Sequence, residues 1–281
     1  MSVVIKLISR GAQRLSWTLC LLVAGTVSSS VLANDAITRL YLPVTSGKFT
    51  PVINSLQQEL EKQNLQNIRI ETIDYWYGFQ QGLRTGQKGI YFAPPHFVAW
   101  SVSRHSFIPL VRLNEPISYV IVVARNNFHL FELNDLAEQK ICASRPLNLE
   151  YLVVNQALSN TLLAPDIEIV DSVADQMLDE SSPCQAFSIT DHTYRKLAVQ
   201  FPDQFIRLYQ SDRFNNYAVV AHPEVPNARV EAVQVFLLQK RTQEILAPIS
   251  KLFSDGAKLV PSVVNDYPDD YWQSLEQYWA N

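Results

Sequence analysis

The sequence predicts an α/β protein of two lobes joined by two hinge strands, and three observations carry that prediction. Short β-branched runs alternate with longer amphipathic stretches after residue 34, the pattern of layered α/β units rather than of a sandwich. The alternation occurs twice in succession, and no linker-like run separates the two rounds. Residues 117–124, the most β-prone segment, stand between them, so extended backbone joins the units instead of a flexible tether.

In the first unit, residues 37–42 read as a strand closed by Pro43, and 49–62 as a helix with Val52, Ile53, Leu56 and Leu60 on one face. A strand at 67–73, a helix near 77–84, a strand at 89–92 broken by Pro94-Pro95, a helix at 96–103 and a strand at 107–113 complete it. The second unit runs strand 140–143, helix 149–158, strand 167–170, short helix 173–178, strand 185–189 and helix 192–200. Strands at 205–208 and 217–221 follow, and the end is helical at 229–240, 242–253 and 269–279, with Pro226 and Pro261 as helix punctuation. Residues 114–120 and 211–217 are the expected crossings, which puts 34–116 and 214–281 in one lobe and 117–213 in the other.

Residues 1–33 have the three parts of a secretory signal: basic Lys6, Arg10 and Arg14, an apolar run at 19–25, and the small residues of Val31-Leu32-Ala33. Cleavage after Ala33 and an exported, periplasmic chain are expected. A membrane anchor is the alternative, but the apolar run falls short of the ~20 residues a bilayer crossing needs. The whole chain carries a net charge of −4, and without the three basic residues of the signal 20 basic residues face 27 acidic, giving −7. With no Lys/Arg cluster, that balance excludes a nucleic-acid partner. Only six glycines lie beyond residue 33, and none falls into a G-x-G-x-x-G, P-loop or G-x-S-x-G pattern. His105, His129 and His222 lack metal-ligand spacing, so no metal or cofactor is expected. Cys142 and Cys184 remain after cleavage, either as one disulfide or as two separate buried residues.

From Tyr75-Trp76-Tyr77 through Leu83-Arg84-Thr85-Gly86 to Gly89-Ile90-Tyr91-Phe92-Ala93-Pro94-Pro95-His96, an aromatic-led helix, a glycine turn, a strand and a proline turn follow in order. Tyr119-Val120-Ile121-Val122-Val123-Ala124 reads as a crossover strand, and Leu133-Asn134-Asp135-Leu136 leads into Lys140-Ile141-Cys142-Ala143. This series resembles the substrate-binding proteins of phosphate and phosphonate ABC importers. The resemblance implies a type 2 periplasmic-binding fold, with a ligand held in the cleft between two hinged lobes. Two departures stand out: Gly89 replaces the family's Asp, and Ser144-Arg145-Pro146-Leu147-Asn148 replaces its Ser/Thr/Gly-rich anion loop.

Ligands of open α/β sheets lie beyond the carboxyl ends of the strands. After the first strand, Thr45 and Ser46 are either an anion cradle or a plain helix cap. Three consecutive aromatics cannot share one core, so Tyr75 or Trp76 is a candidate to stack on ligand or to pack at the lobe edge. Pro95 and His96 open a helix, where the imidazole either donates to an anion or has no role. Tyr119 begins the crossover strand. Ser144 and Asn148 are the short polar groups left in the anion loop, and Arg145 is either a carboxylate or phosphoryl clamp or a salt-bridge partner. Thr190, Asp191 and His192 close a strand, with Asp191 as a cap or as acceptor for a cationic part of the ligand.

The resemblance implies an exported protein that captures a small anionic or zwitterionic, phosphonate- or phosphate-like solute. Its closed form engages an ABC permease or, alternatively, a membrane sensor. An exported hydrolase on Asp191 and His192 is the weaker reading, because neighbours on a helix point about 100° apart and no Ser completes a triad.

Overall fold

The computed structural model describes residues 37–73, 75–144, 148–159 and 166–268. Its strands are β1 (Thr38–Leu42), β2 (Ile68–Thr72), β3 (Ile90–Ala93), β4 (Ile108–Leu113), β5 (Tyr119–Ala124), β6 (Lys140–Ala143), β7 (Asp166–Ile169), β8 (Ala186–Thr190), β9 (Phe205–Gln210), β10 (Ala218–Ala221) and β11 (Leu259–Pro261). Its helices are α1 (Ser46–Lys62), α2 (Trp76–Arg84), α3 (Pro95–His105), α4 (Leu149–Ala157), α5 (Val173–Leu178), α6 (Asp191–Gln200), α7 (Asn227–Leu238) and α8 (Lys240–Ser250). Among the described residues no helix is long and apolar enough to cross a membrane. The predicted helix at 269–279 lies outside the described residues.

Two sheets form the frame of a two-lobed fold. The first has six strands in the order β11-β4-β10-β3-β1-β2, and the second five in the order β7-β6-β8-β5-β9. β1 runs parallel to β2 and β3, and β6 parallel to β7 and β8, whereas β10 and β5 run antiparallel to both their neighbours. Helices cover both faces of each sheet, and the period-2 alternation of the strands shows how. Ile90 and Phe92 join the core under α1, α7 and α8, while Tyr91 and Ala93 join the one under α2 and α3. In the second sheet Val120 and Val122 face α5 and α6, and Ile121 and Val123 face α4.

The chain passes between the sheets twice, from β4 to β5 and from β9 to β10, and the two passages pair with each other. Ile117 and Phe214 exchange backbone hydrogen bonds of 2.9 and 2.8 Å. Asn216, fully buried, donates its Nδ2 to the Glu115 carbonyl at 2.9 Å and accepts from the Tyr217 amide at 2.7 Å. The Tyr267 hydroxyl donates to the Asn216 carbonyl, also at 2.7 Å. Backbone polar groups in a crossing segment have no ladder to satisfy them, and this network supplies the partners.

Several element ends differ from the sequence reading for physical reasons. α1 begins at Ser46, three residues early, which places Pro51 inside the helix and forfeits one backbone bond. Burial of Phe49 in the first sheet's core anchors that extra turn. Pro261 ends the edge strand β11 instead of punctuating a helix, a place where a missing N–H costs no ladder bond. Gly86 turns the chain after α2 at φ 66°, where a Cβ would strike the His105 ring at 2.8 Å. At Gly89 a Cβ would meet Tyr41 at 2.9 Å, because Tyr41 stacks on Tyr91 with ring centroids 4.7 Å apart.

Cys142 of β6 and Cys184, just before β8, are joined by a disulfide spanning 42 residues. Closing a loop of that length removes unfolded-state entropy worth about 4 kcal/mol at most. Replacing both cysteines by serine is expected to lower Tm in thermal denaturation, and reduction of the wild-type chain should lower it equally. An unchanged Tm in both would show that the bridge constrains nothing in the unfolded chain.

Candidate functional site

The first sheet presents the loops after β1, β2 and β3. Thr45 is the exposed N-cap of α1 and makes no side-chain bond to the helix, and Ser46 is the first helical residue. At the start of α2 the aromatic run splits as its crowding requires. Tyr75 is 69% exposed and pairs with Tyr77 at 5.8 Å, while Trp76 turns inward onto Phe79 at 5.3 Å and Phe97 at 6.2 Å. Pro95 and His96 begin α3, and both are buried. His96 is only 1% exposed, its ring 4.2 Å from that of Phe97, so the imidazole is packed against its neighbours and not half open to solvent.

From the second sheet, Ser144 and Asn148 meet, and Tyr119 packs with Leu149 at the start of α4. Asn148 caps α4 by position, but its Nδ2 donates to Ser144 Oγ at 3.2 Å and not to the helix. Ser144 Oγ donates in turn to Glu150 Oε2 in the first turn of α4. Ser188 Oγ donates to the Glu150 carbonyl at 3.0 Å, tying that turn to β8. Tyr119 is 4% exposed, and burial, then Tyr217 and Glu150, push its phenol well up. Tyr217 is pushed up by burial and by Glu150. Burial alone raises the half-buried Glu150 carboxyl to about 7. Arg145 lies outside the described residues.

Tyr217 leads into β10 of the first sheet, stacked on Phe253 at 3.7 Å, and the charge of Glu150, on the second sheet's α4, reaches it there. α4 reaches further still. Leu152 is buried in the α2/α3 core of the first sheet, with Tyr151 packed beside it.

The last group surrounds the start of α6. Thr190 caps the helix, its Oγ1 accepting from the Thr193 amide at 3.1 Å. The Asp191 carboxylate is held by Arg195 at 2.5 Å and Arg207 at 3.6 Å, both carried by its own lobe. Its charge is thereby matched without a ligand. His192 Nε2 lies 3.4 Å from Asp255, which Lys196 also approaches at 3.1 Å. These bonds run from α6 to the segment joining α8 to β11, hence from one sheet's layer to the other's. Lys196, through its hydrogen bond, and His192 hold Asp255 below the usual carboxylate range. Burial and Lys196 depress His192. A cavity of about 180 Å³ opens here, lined by Glu115, Ser118, Asp191, His192, Arg195 and Arg213 among others.

The structure thus gathers the predicted residues into two groups beside the crossings. Among the described residues no hydrogen bond or ring contact ties the Thr45 or Tyr75 side chain to either group, and there is no cluster of three or more His, Cys, Asp or Glu that could hold a metal. The sequence reading missed Glu150 and Tyr217. An acidic residue in a first helical turn reads as an ordinary dipole partner, and a tyrosine opening a strand reads as core. Their meeting depends on tertiary contact.

Two outcomes follow. Glu150 binds its proton more tightly folded than unfolded, so its ionisation destabilises the fold progressively as pH rises from about 4.5 to about 7. Glu150→Gln should therefore raise Tm by a few degrees at pH 8, a gain of about 1–2 kcal/mol after solvent screening, and change it little at pH 4.5. Asp255→Asn should shift the chain toward a more open form in small-angle scattering, by no more than about five-fold in population. That shift should vanish in high salt, which already screens the pair.

Comparison with known proteins bears on this geometry. A model of the family described as ABC transporter, phosphonate, periplasmic substrate-binding protein matches residues 43–255. The structure is similar to PhnD1 from Prochlorococcus marinus in complex with methylphosphonate, with a TM-score of 0.66 at 13% identity over 87% of this chain and 100% of that one. It is similar to a Xanthomonas citri protein bound to ATP, at TM-score 0.65 and 13% identity over 86% and 98% of the two chains. The aliphatic sulphonate binding protein SsuA of Escherichia coli aligns at TM-score 0.56 and 16% identity, covering 88% of this chain and 87% of that one. At such identities these likenesses establish the fold. No curated protein matches the chain. With the family model spanning most of its length, the chain belongs to the periplasmic substrate-binding proteins of phosphonate ABC transporters, which bind a solute for an ABC importer.

Proposed function

We propose that the chain captures a small anionic or zwitterionic solute between its two lobes and presents the closed form to a membrane permease. Closure is hinge bending about the crossings, with 34–116 and 214–281 moving as one lobe and 117–213 as the other. The solute acts by favouring the closed state, and no covalent bond is made or broken. The observation that carries this reading is the pairing of the crossings at Ile117 and Phe214, with polar side chains of both sheets' elements converging beside it.

Thr45, Ser46, Tyr75, Trp76, Pro95 and His96 are assigned to the first wall of the cleft. Tyr119, Ser144, Arg145, Asn148, Thr190, Asp191 and His192 form the second. Within that set Arg145 is the anion clamp, while Asp191, matched by two arginines, positions α6. The methylphosphonate bound by PhnD1, and the aliphatic sulphonates for which SsuA is named, support an oxyanion or its zwitterionic relatives. Export with cleavage after Ala33 completes the reading.

A thermal-shift panel of methylphosphonate, phosphate, sulfonates, amino acids and polyamines tests it, because a ligand that binds only the native state raises Tm by mass action. At least one anionic or zwitterionic member should raise Tm, and Arg145→Ala should weaken that ligand by roughly 10- to 100-fold. If no member shifts Tm and none compacts the chain in scattering, the capture reading fails.

A further inference from the structure

The end of α4 is where a helix in this fold would offer its free N–H groups to an anion, beyond the carboxyl end of β6. Here that end carries a carboxylate. Glu150 is the second residue of α4, half-buried, and its Oε2 accepts from Ser144 while Asn148 is turned onto the same serine. The two short polar groups of the loop are therefore committed to one another and to the acid. Tyr119, at the start of the crossover strand, packs with Leu149, the residue before Glu150, and the Glu150 charge helps to raise the phenols of both Tyr119 and Tyr217. Among the described residues no Lys, Arg or His forms an ion pair with it. A carboxylate is an acceptor only, and phenols and hydroxyls can satisfy it but not cancel its charge.

Resting on the capture reading above, we propose that Glu150 determines the ligand class. The cleft takes a solute that brings a hydrogen-bond donor to this carboxylate, an ammonium group or a singly protonated oxyanion, and rejects an oxyanion without one. The physical reason is the asymmetry of buried polar contacts: a donor on the ligand satisfies Glu150, whereas a bare oxyanion sets two unmatched negative groups together in a desolvated cleft. Rejection by an unpaired buried group is a stronger discriminator than any added apolar contact. A bare oxyanion enters only with a proton supplied to Glu150 from solvent, so its affinity falls as pH rises.

Calorimetric titration of the full chain, wild type and Glu150→Gln, with three probes decides the matter. Ethanesulfonate has no donor, 2-aminoethanesulfonate differs from it by an ammonium group, and methylphosphonate carries an O–H only when singly protonated. In the wild type at pH 8.5, ethanesulfonate should bind at least about 10-fold more weakly than the better of the other two, and the probe that wins identifies the donor. Ethanesulfonate should tighten by about 10-fold at pH 6, with proton uptake seen as a dependence of the heat on buffer. Glu150→Gln should bring the probes within about three-fold of each other and flatten the pH dependence. Equal binding of all three probes by the wild type at both pH values, or an unchanged order in the variant, overturns the proposal alone. Failure of every probe to bind either form overturns the capture reading and this proposal with it. Should the variant not fold, the wild-type probe order and proton uptake decide by themselves.

Discussion

Every feature of the cleft depends on the hydrogen-bonded pairing of the two backbone crossings. Ile117 and Phe214 close a single antiparallel bridge, and the buried Asn216 amide reaches across to the Glu115 carbonyl. A lone crossing would leave polar groups unpaired and the two sheets free to swivel; a paired one has its bonds satisfied and one soft direction of bending. The 262–267 segment adds to this by anchoring Tyr267 on the Asn216 carbonyl and Asp266 against Arg112.

That constraint fixes which side chains can meet. Because the crossings join β4 to β5 and β9 to β10, the carboxyl ends of β6 and β8 and the residues leading into β10 gather around them. Tyr119, Ser144, Glu150 and Tyr217 are brought together in that way, although they span almost a hundred positions of sequence. Contacts of two kinds then bridge the lobes. Leu152 of α4 is buried in the first sheet's aromatic core, an apolar contact of about 1.5–3 kcal/mol. The link from His192 and Lys196 to Asp255 is exposed and salt-sensitive. One resists separation of the layers through burial and the other only through charge, so both are contacts that solvent can replace at modest cost.

The layered architecture was legible because strand and helix periods leave separate marks. In 90–93 and 120–123 neighbouring residues go to opposite cores, and a run apolar at every position is what a strand covered on both faces requires. Element ends were less legible, since tertiary anchors move them: buried Phe49 extends α1 past a proline, and pairing with β4 makes a strand of 259–261. The candidate site was legible only in part. Ser144, Asn148 and Tyr119 stand at strand ends, where sequence reasoning looks, and Arg195 stands one helical turn after Asp191, but the burial of His96 and the approach of Arg207 to Asp191 come from tertiary packing that no local spacing encodes.

The amino-acid order alone determined the two α/β rounds, the extended crossings and the polar strand ends, because these are properties of neighbours within a few residues. Tertiary structure decided the chemistry of the cleft. Whether Glu150 is a helix-end acid or a ligand-selecting one depends on Tyr119, 31 positions before it, and Tyr217, 67 positions after it. Charge, burial and hydrogen-bond demand are set by what lies across space, and no local periodicity encodes that.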